Sequence, residues 1–113
     1  MKYSIVLVPF PFDDLSRTKI RPAICLTDPI SIYEHVVIAF ITSQVGKADE
    51  SSDLVIMKGE VGFARSGLKV SSAIRLHRLV TIPKRLIHRK LGELPSQHHP
   101  SLKEHLLQLF DLK

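Results

Sequence analysis

Apolar positions fall in short, β-branched runs over the first two thirds of the chain and at helical spacing over the last third. The run at residues 35–42 (HVVIAFIT) is almost continuously apolar, so we expect both faces of that strand to be covered. Polar, turn-rich segments at residues 11–18 and 43–52 are predicted to be loops. The predicted strands are residues 3–10, 22–27, 35–42, 53–58 and 72–76.

Two helices are predicted in the last third. Pro83 suits the first turn of a short helix over residues 84–90, because the N–H that proline lacks would have no partner there. The final segment opens with the capping-box pattern SLKE at residues 101–104. An apolar stripe then follows at helical spacing and should dock this helix: Leu102, Leu106, Leu109 and Phe110.

Many short strands followed by terminal helices predict a mainly β (α+β) fold. We expect a small barrel or curled sheet with helices packed on it, in a single domain spanning residues 1–113. A length of 113 residues fits one ordinary domain, and a hydrophobic fraction of 44% excludes disorder of the whole chain.

Composition narrows the class of protein further. No apolar stretch reaches the roughly 18–20 residues of a membrane-spanning helix, and the apolar run at residues 5–8 is too short for a signal peptide. A lone Cys25 excludes an intramolecular disulfide and a cysteine-based zinc site. We therefore expect a soluble, cytoplasmic protein. A net charge of +5 favours an anionic partner such as a nucleic acid, although it is equally compatible with solubility alone.

Two groups of polar residues stand where strands begin or end. Pro22 restricts Arg21 to extended geometry and so fixes its direction at the start of a strand, where an arginine can also be merely solvated. Thr42, Ser43 and Gln44 end the most apolar strand. They could bind a phosphate or a base edge, or could simply cap the strand end.

A third group follows from strand alternation. Arg75 and His77 should point to one face while Leu76 points inward. A cation beside a group that titrates near neutral pH suits phosphate chemistry, and a half-exposed strand face is the alternative. No carboxylate or Cys/His cluster has metal-ligand spacing, so we expect neither a metal nor a cofactor.

A series of short motifs occurs in one order over residues 5–94. They are VLVPFPF at 6–12, DLS at 14–16, RPAI at 21–24, ITSQ at 41–44, GL at 67–68, SAIRL at 72–76, TI at 81–82 and LG at 91–92. Each motif alone is weak, but the ordered set resembles the MazF/PemK family of toxin endoribonucleases. Two positions depart from the family pattern: His77 stands where the family usually has Asp, and Tyr3-Ser4 replaces Gly-Asp.

The resemblance implies a small SH3-like β-barrel of the CcdB/MazF/PemK type, with short helices that include a C-terminal one. It implies the toxin component of a type II toxin–antitoxin system, active as a homodimer with RNA bound across the dimer interface. The expected activity is metal-independent, sequence-selective cleavage of single-stranded RNA, namely mRNA, through a 2′,3′-cyclic phosphate. A cognate antitoxin would neutralise the toxin with an acidic tail.

The resemblance also assigns roles to individual residues. The family's Arg before Pro corresponds to Arg21, its strand-end Thr to Thr42 and its downstream Arg to Arg75, and we add His77 to these predicted catalytic residues. Arg21 would clamp the phosphate and donate a proton, Thr42 would donate to a non-bridging oxygen, and Arg75 would neutralise charge. His77 would act as base or acid. The predicted RNA-binding residues are Ser16, Lys19, Ser43 and Gln44.

Two other functions remain open at this point. The departures at His77 and Tyr3-Ser4 would suit a catalytically impaired RNA-binding or regulatory module on the same fold. A CcdB-like toxin that inhibits gyrase would share the fold but act on a protein. The matches at Arg21, Thr42 and Arg75 favour the endoribonuclease.

Overall fold

The computed structural model describes residues 1–11, 18–49 and 51–112. Its strands are β1 (Ser4–Pro11), β2 (Thr18–Cys25), β3 (His35–Thr42), β4 (Asp53–Ile56), β5 (Ser72–Pro83) and β6 (Arg89–Glu93). One α-helix, α1 (His99–Leu109), follows them. Short 3₁₀ helices lie at Val45–Lys47, Phe63–Ser66, Lys84–Leu86 and Ser96–His98.

The strands form one antiparallel, curled sheet in the order β4-β5-β3-β2-β1-β6. β5 is the longest strand, and its first part pairs with β3 on one side and with β4 on the other. The β3–β5 register jumps between Ala39, opposite Leu79, and Phe40, opposite Arg75. Residues 76–78 therefore have no partner in β3, and this bulge bends β5. The predicted mainly β class is confirmed.

Most predicted strands are present, with different ends. β3 spans residues 35–42 as predicted, whereas β2 begins at Thr18 and β5 continues to Pro83 because each extension pairs with a neighbouring strand. The predicted helix over residues 84–90 is wrong. Only Lys84–Leu86 form a 3₁₀ turn, and the chain then joins the sheet edge, where Arg89 pairs with Leu7. The loop predicted at 11–18 falls on residues outside the described ranges, apart from its two ends.

The C-terminal helix is present, but its predicted start is wrong. α1 begins at His99, so Ser101 lies inside the helix and does not cap it, and the predicted capping box is not formed. The turn before α1 is instead fastened through a hydrogen bond between His98 Nε2 and the carboxylate of Glu60. Burial would raise the pKa of Glu60, but hydrogen bonds from the Met57 N–H and His98 outweigh it and hold that pKa below its usual value.

The apolar stripe of α1 docks over its first part only. Leu102 is buried and Leu106 is partly buried against the core, whereas Leu109 and Phe110 are exposed. The predicted docking is therefore confirmed for the first two positions and wrong for the last two.

Apolar side chains cover both faces of the sheet. One cluster lies under α1 and includes Ala39 and Ile41 of β3, and the other, on the opposite face, includes Ile38 and Phe40 of the same strand. This two-sided burial explains why β3 is almost continuously apolar, and it confirms the expectation for that strand. Cys25 lies in the second cluster, where burial raises the pKa of its thiol to about 11.

Two glycines allow the edge strand β6 to lie against the 3₁₀ helix Phe63–Ser66 and the turn after it. Gly67 has φ +72°, and a Cβ there would lie 2.1 Å from the carbonyl oxygen of Leu91. A Cβ on Gly92 of β6 would lie 2.1 Å from the carbonyl oxygen of Arg65. Since these contacts involve backbone on both sides, no rotamer change could relieve them. The motifs at residues 67–68 and 91–92 thus have a packing role.

Replacing Gly92 should destabilise the fold. We expect Gly92→Ala to cost at least about 2–3 kcal/mol, because backbone must move to admit the methyl group, and to lower the Tm by roughly 10 °C or more. Gly59→Ala is the matched control, since nothing lies within 4 Å of its Cβ position. Thermal unfolding followed by circular dichroism measures both variants. Equal Tm values for Gly92→Ala and wild type would contradict the packing role.

Candidate active site

A groove of about 490 Å³ lies where the start of β2 and the end of β3 meet β5. β-Sheet register brings its polar groups together. Arg21 precedes the stretch of β2 that pairs Ala23 with Phe40, and Phe40 is itself opposite Arg75 of β5. The groove is lined by five of the residues predicted from the sequence: Arg21, Thr42, Ser43, Gln44 and Arg75.

Arg21 and Thr42 both line this groove. Arg21 is exposed and lies opposite Val8 in the β1–β2 pairing, in the extended geometry that Pro22 requires. Thr42 ends β3, and its Oγ1 accepts the N–H of Gln44 at 3.1 Å. That bond caps the strand end, yet a hydroxyl that accepts one hydrogen bond can still donate its own proton to a ligand.

A buried carboxylate holds Arg75. The Nε of Arg75 donates to Oδ1 of Asp53 at 3.1 Å, and the side chain of Asp53 is fully buried. The Nδ1 of His77 lies 3.7 Å from the same oxygen. Leu76, between them, is fully buried, as the alternation predicts. One carboxylate oxygen therefore faces both the arginine and the histidine of the predicted pair.

Not every predicted residue lies in the groove. His77 lines an adjoining cavity of about 290 Å³, which shares Phe10, Phe40 and Arg78 with the groove. Lys19 is exposed and pairs opposite Phe10, without lining either cavity. Ser16 lies outside the described residues.

The electrostatics of the groove favour an anion. No Asp or Glu is among the described residues that line the groove. Four cationic side chains line it: Arg21, Lys69, Arg75 and Arg78. Phe10 and Phe40 lie at one side with ring centroids 4.1 Å apart, which adds an apolar, aromatic surface. Such a combination can bind a phosphodiester backbone together with bases.

Two acidic residues close to Arg75, Asp49 and Asp53, do not line the groove. Asp49 is exposed on the loop before β4, and hydrogen bonds from Ser51 lower the pKa of its carboxyl. Nearby His77 and Arg75 lower the pKa of Asp49 further, whereas burial acts in the opposite direction. Across the described ranges, no group of His, Cys, Asp and Glu side chains could hold a metal ion.

Comparison with known proteins decides the family. A family model described as "PemK-like, MazF-like toxin of type II toxin-antitoxin system" matches residues 1–110. The chain belongs to this family. No curated protein sequence matches it significantly.

Solved structures show the same fold as this PemK/MazF-family chain. It is similar to the Mycobacterium tuberculosis toxin MazF-mt6, with a TM-score of 0.74 and 24% sequence identity, over 97% of this chain and 98% of that chain. A second structure, described as the crystal structure of an Mtb toxin, gives a TM-score of 0.61 and 25% identity over 76% of this chain and 88% of that chain. The predicted family and fold are thereby confirmed.

Sequence reasoning missed three charged residues of this PemK/MazF-family chain. Arg78 directly follows the Arg75-Leu-His77 pattern, so its proximity could have been noticed from the sequence. Lys69 reaches the groove through the turn after Gly67. Asp53 does not line the groove but contacts Arg75 through pairing of β4 with β5. No local spacing links residue 53 to residue 75, so only the sheet register reveals that contact.

Within the described part of the chain, no helix has the length and apolarity to cross a membrane.

Proposed function

We propose that this chain is a toxin that acts as a metal-independent, sequence-selective endoribonuclease on single-stranded RNA, with mRNA as the target. The observation that carries the proposal is the cationic groove in which Arg21, Thr42 and Arg75 lie together. Membership of the PemK/MazF family supports the toxin class. Action on mRNA places the proposed activity in the cytoplasm, and the chemistry requires no cofactor.

Cleavage without a metal uses the 2′-hydroxyl of the RNA as nucleophile. The 2′-oxygen loses its proton and attacks the adjacent phosphorus while the bond to the 5′-oxygen breaks. The 5′-oxygen takes up a proton, which leaves a 2′,3′-cyclic phosphate and a 5′-hydroxyl. The protein must therefore stabilise charge on the non-bridging oxygens and move protons at two positions.

The groove residues suit the stabilising roles. Arg21 stays protonated and has the planar, forked geometry that binds phosphate, so it clamps the scissile group and can donate to the leaving oxygen. Thr42 donates its hydroxyl proton to a non-bridging oxygen, and Arg75 neutralises the charge that develops there. Ser43 and Gln44 are exposed at the rim, where they can contact bases or ribose.

His77 is the proposed proton carrier. The approach of the Asp53 carboxylate to its Nδ1 favours a proton on that nitrogen, which leaves Nε2 to accept the proton of the 2′-hydroxyl. Since His77 lines the adjoining cavity, the RNA would run across both cavities, past the shared Phe10 and Phe40. We further propose that Lys19 contacts the RNA backbone beside Phe10.

Two partners complete the proposal. A second copy of the chain forms a homodimer, so that RNA crosses from one groove to the next. A cognate antitoxin with an acidic segment then inhibits the toxin by occupying the cationic groove, since its carboxylates would pair with the same side chains that bind phosphate.

One observation favours a second function, RNA binding without cleavage. No Asp, Glu or His stands among the described residues that line the groove, so the groove itself offers no side chain suited to act as a general base. If His77 does not reach the substrate from the adjoining cavity, the protein would bind RNA and leave it intact.

Cleavage in the absence of metal is the first test. We expect the pure protein to cut labelled RNA in excess EDTA and to leave 2′,3′-cyclic phosphate ends, detected by mass spectrometry. Arg21→Ala should lower the rate on the order of 10²-fold or more, because it removes a phosphate donor. Arg89→Ala is the matched control on the β6 edge, outside the groove lining. Intact RNA over many sequences, or wild-type rates from Arg21→Ala, would refute the proposal.

Replacement of His77 tests the proton transfer. We expect His77→Ala to lower the single-turnover rate roughly 10²–10⁴-fold, the usual contribution of a general base or acid. RNA affinity, measured by fluorescence anisotropy, should change little, because the cations of the groove lining supply the contacts with phosphate. Wild-type rates from this variant would show that His77 is only a surface residue.

The dependence of binding on salt tests the cationic lining. Lys69→Ala and Arg78→Ala should each weaken binding of single-stranded RNA about equally for different sequences. Each should reduce the slope of log K against log salt by about 0.7, because one fewer counterion is released. Lys103→Ala on α1 is the control, since this exposed lysine is outside the groove lining. An unchanged slope in both groove variants would place the RNA elsewhere.

A further inference from the structure

Asp53 is a buried carboxylate whose contact with Arg75 has no role yet in the proposed chemistry. It is the first residue of β4 and lies directly opposite Arg75 in the β4–β5 pairing. Its Oδ1 accepts the Nε–H of Arg75 at 3.1 Å, and its Oδ2 accepts the N–H of Asp49 at 2.9 Å. Both carboxylate oxygens are therefore used from inside the protein.

Burial makes this carboxylate dependent on its partners. A charged group removed from water is costly unless it is paired and hydrogen-bonded, and Asp53 has no exposed side-chain surface. Arg75 contacts the Asp53 carboxylate through its Nε. The arginine side chain remains 30% exposed and lines the groove. The outer N–H groups of the same guanidinium thus stay available for an anion.

We propose that Asp53 is a positioning residue, which holds the Arg75 guanidinium by its Nε so that its outer N–H groups face the scissile phosphate. This inference rests on the proposed endoribonuclease function. An arginine that is anchored before RNA binds loses less side-chain freedom on binding, and its donors already have the geometry that a phosphate requires.

Because residue 77 is a histidine, Asp53 is the carboxylate that orients Arg75. His77, two residues along β5 from Arg75, has its Nδ1 3.7 Å from the same Oδ1 of Asp53. Among the described residues, Asp53 is the one carboxylate at ion-pair distance from Arg75. The negative charge that orients Arg75 therefore comes from the neighbouring strand rather than from two residues along β5.

A double-mutant cycle separates positioning from a general effect on the fold. We expect Asp53→Asn to lower kcat for RNA cleavage about tenfold in the wild-type background, because the neutral amide holds the guanidinium less firmly. In the Arg75→Ala background the same substitution should cost less, because only the contact of Asp53 with His77 then remains to be lost. An equal loss in both backgrounds would overturn the proposal, because it would show that Asp53 does not act through Arg75. Glu93→Gln is the control: this carboxylate pairs with Lys90 outside the groove and should leave the rate unchanged in both backgrounds.

A second measurement needs no activity. The Nε–H signal of Arg75 in the wild-type protein, assigned by its loss in Arg75→Lys, should exchange slowly with water in NMR spectra because it is bonded to a buried carboxylate. Fast exchange, typical of a solvated arginine, would overturn the proposal. If wild-type protein does not cleave RNA, the proposed function fails, while this signal still decides whether Asp53 holds Arg75.

Discussion

The pairing of β3 with β5 is the contact on which the rest of the molecule depends. Its jump in register sets Phe40 opposite Arg75 and leaves residues 76–78 without a partner in β3, so the strand bends where its charged residues lie. The same stretch of β5 also pairs with β4, which carries Asp53 to Arg75. These two pairings of β5 therefore place Arg75, the buried carboxylate and the histidine in one region.

The two faces of the sheet divide structural and chemical tasks. The face under α1 is a continuous apolar core, whereas the opposite face changes from apolar residues around Ile38 to the polar strand end at Thr42. Backbone contacts at Gly67 and Gly92, and the Glu60–His98 hydrogen bond, fix the edge strand and the helix on this frame. A groove built on such paired strands holds its side chains in place before any ligand arrives.

The family motifs prove to be of two kinds. Those around Gly67 and Gly92 allow close backbone approach, while those around Arg21, Thr42 and Arg75 deliver groups to the groove. The chain has a net charge of +5, and part of its positive charge lies in the groove, because the described lining residues include cations and neither Asp nor Glu. His77 lies beside the same buried carboxylate, with its Nδ1 3.7 Å from Oδ1 of Asp53.

The sequence by itself determined whatever depends on near neighbours in the chain: the strand β3 with buried apolar side chains on both faces, the extended geometry of Arg21 before Pro22, and the shared side of Arg75 and His77. Alternation and φ restrictions are local, so they can be read directly from residue order. Only the tertiary structure decided that residues 89–93 are a strand and that Asp53 contacts Arg75. Those outcomes come from pairing between distant segments, since register and edge position are set by strands far away in sequence, which no local pattern encodes.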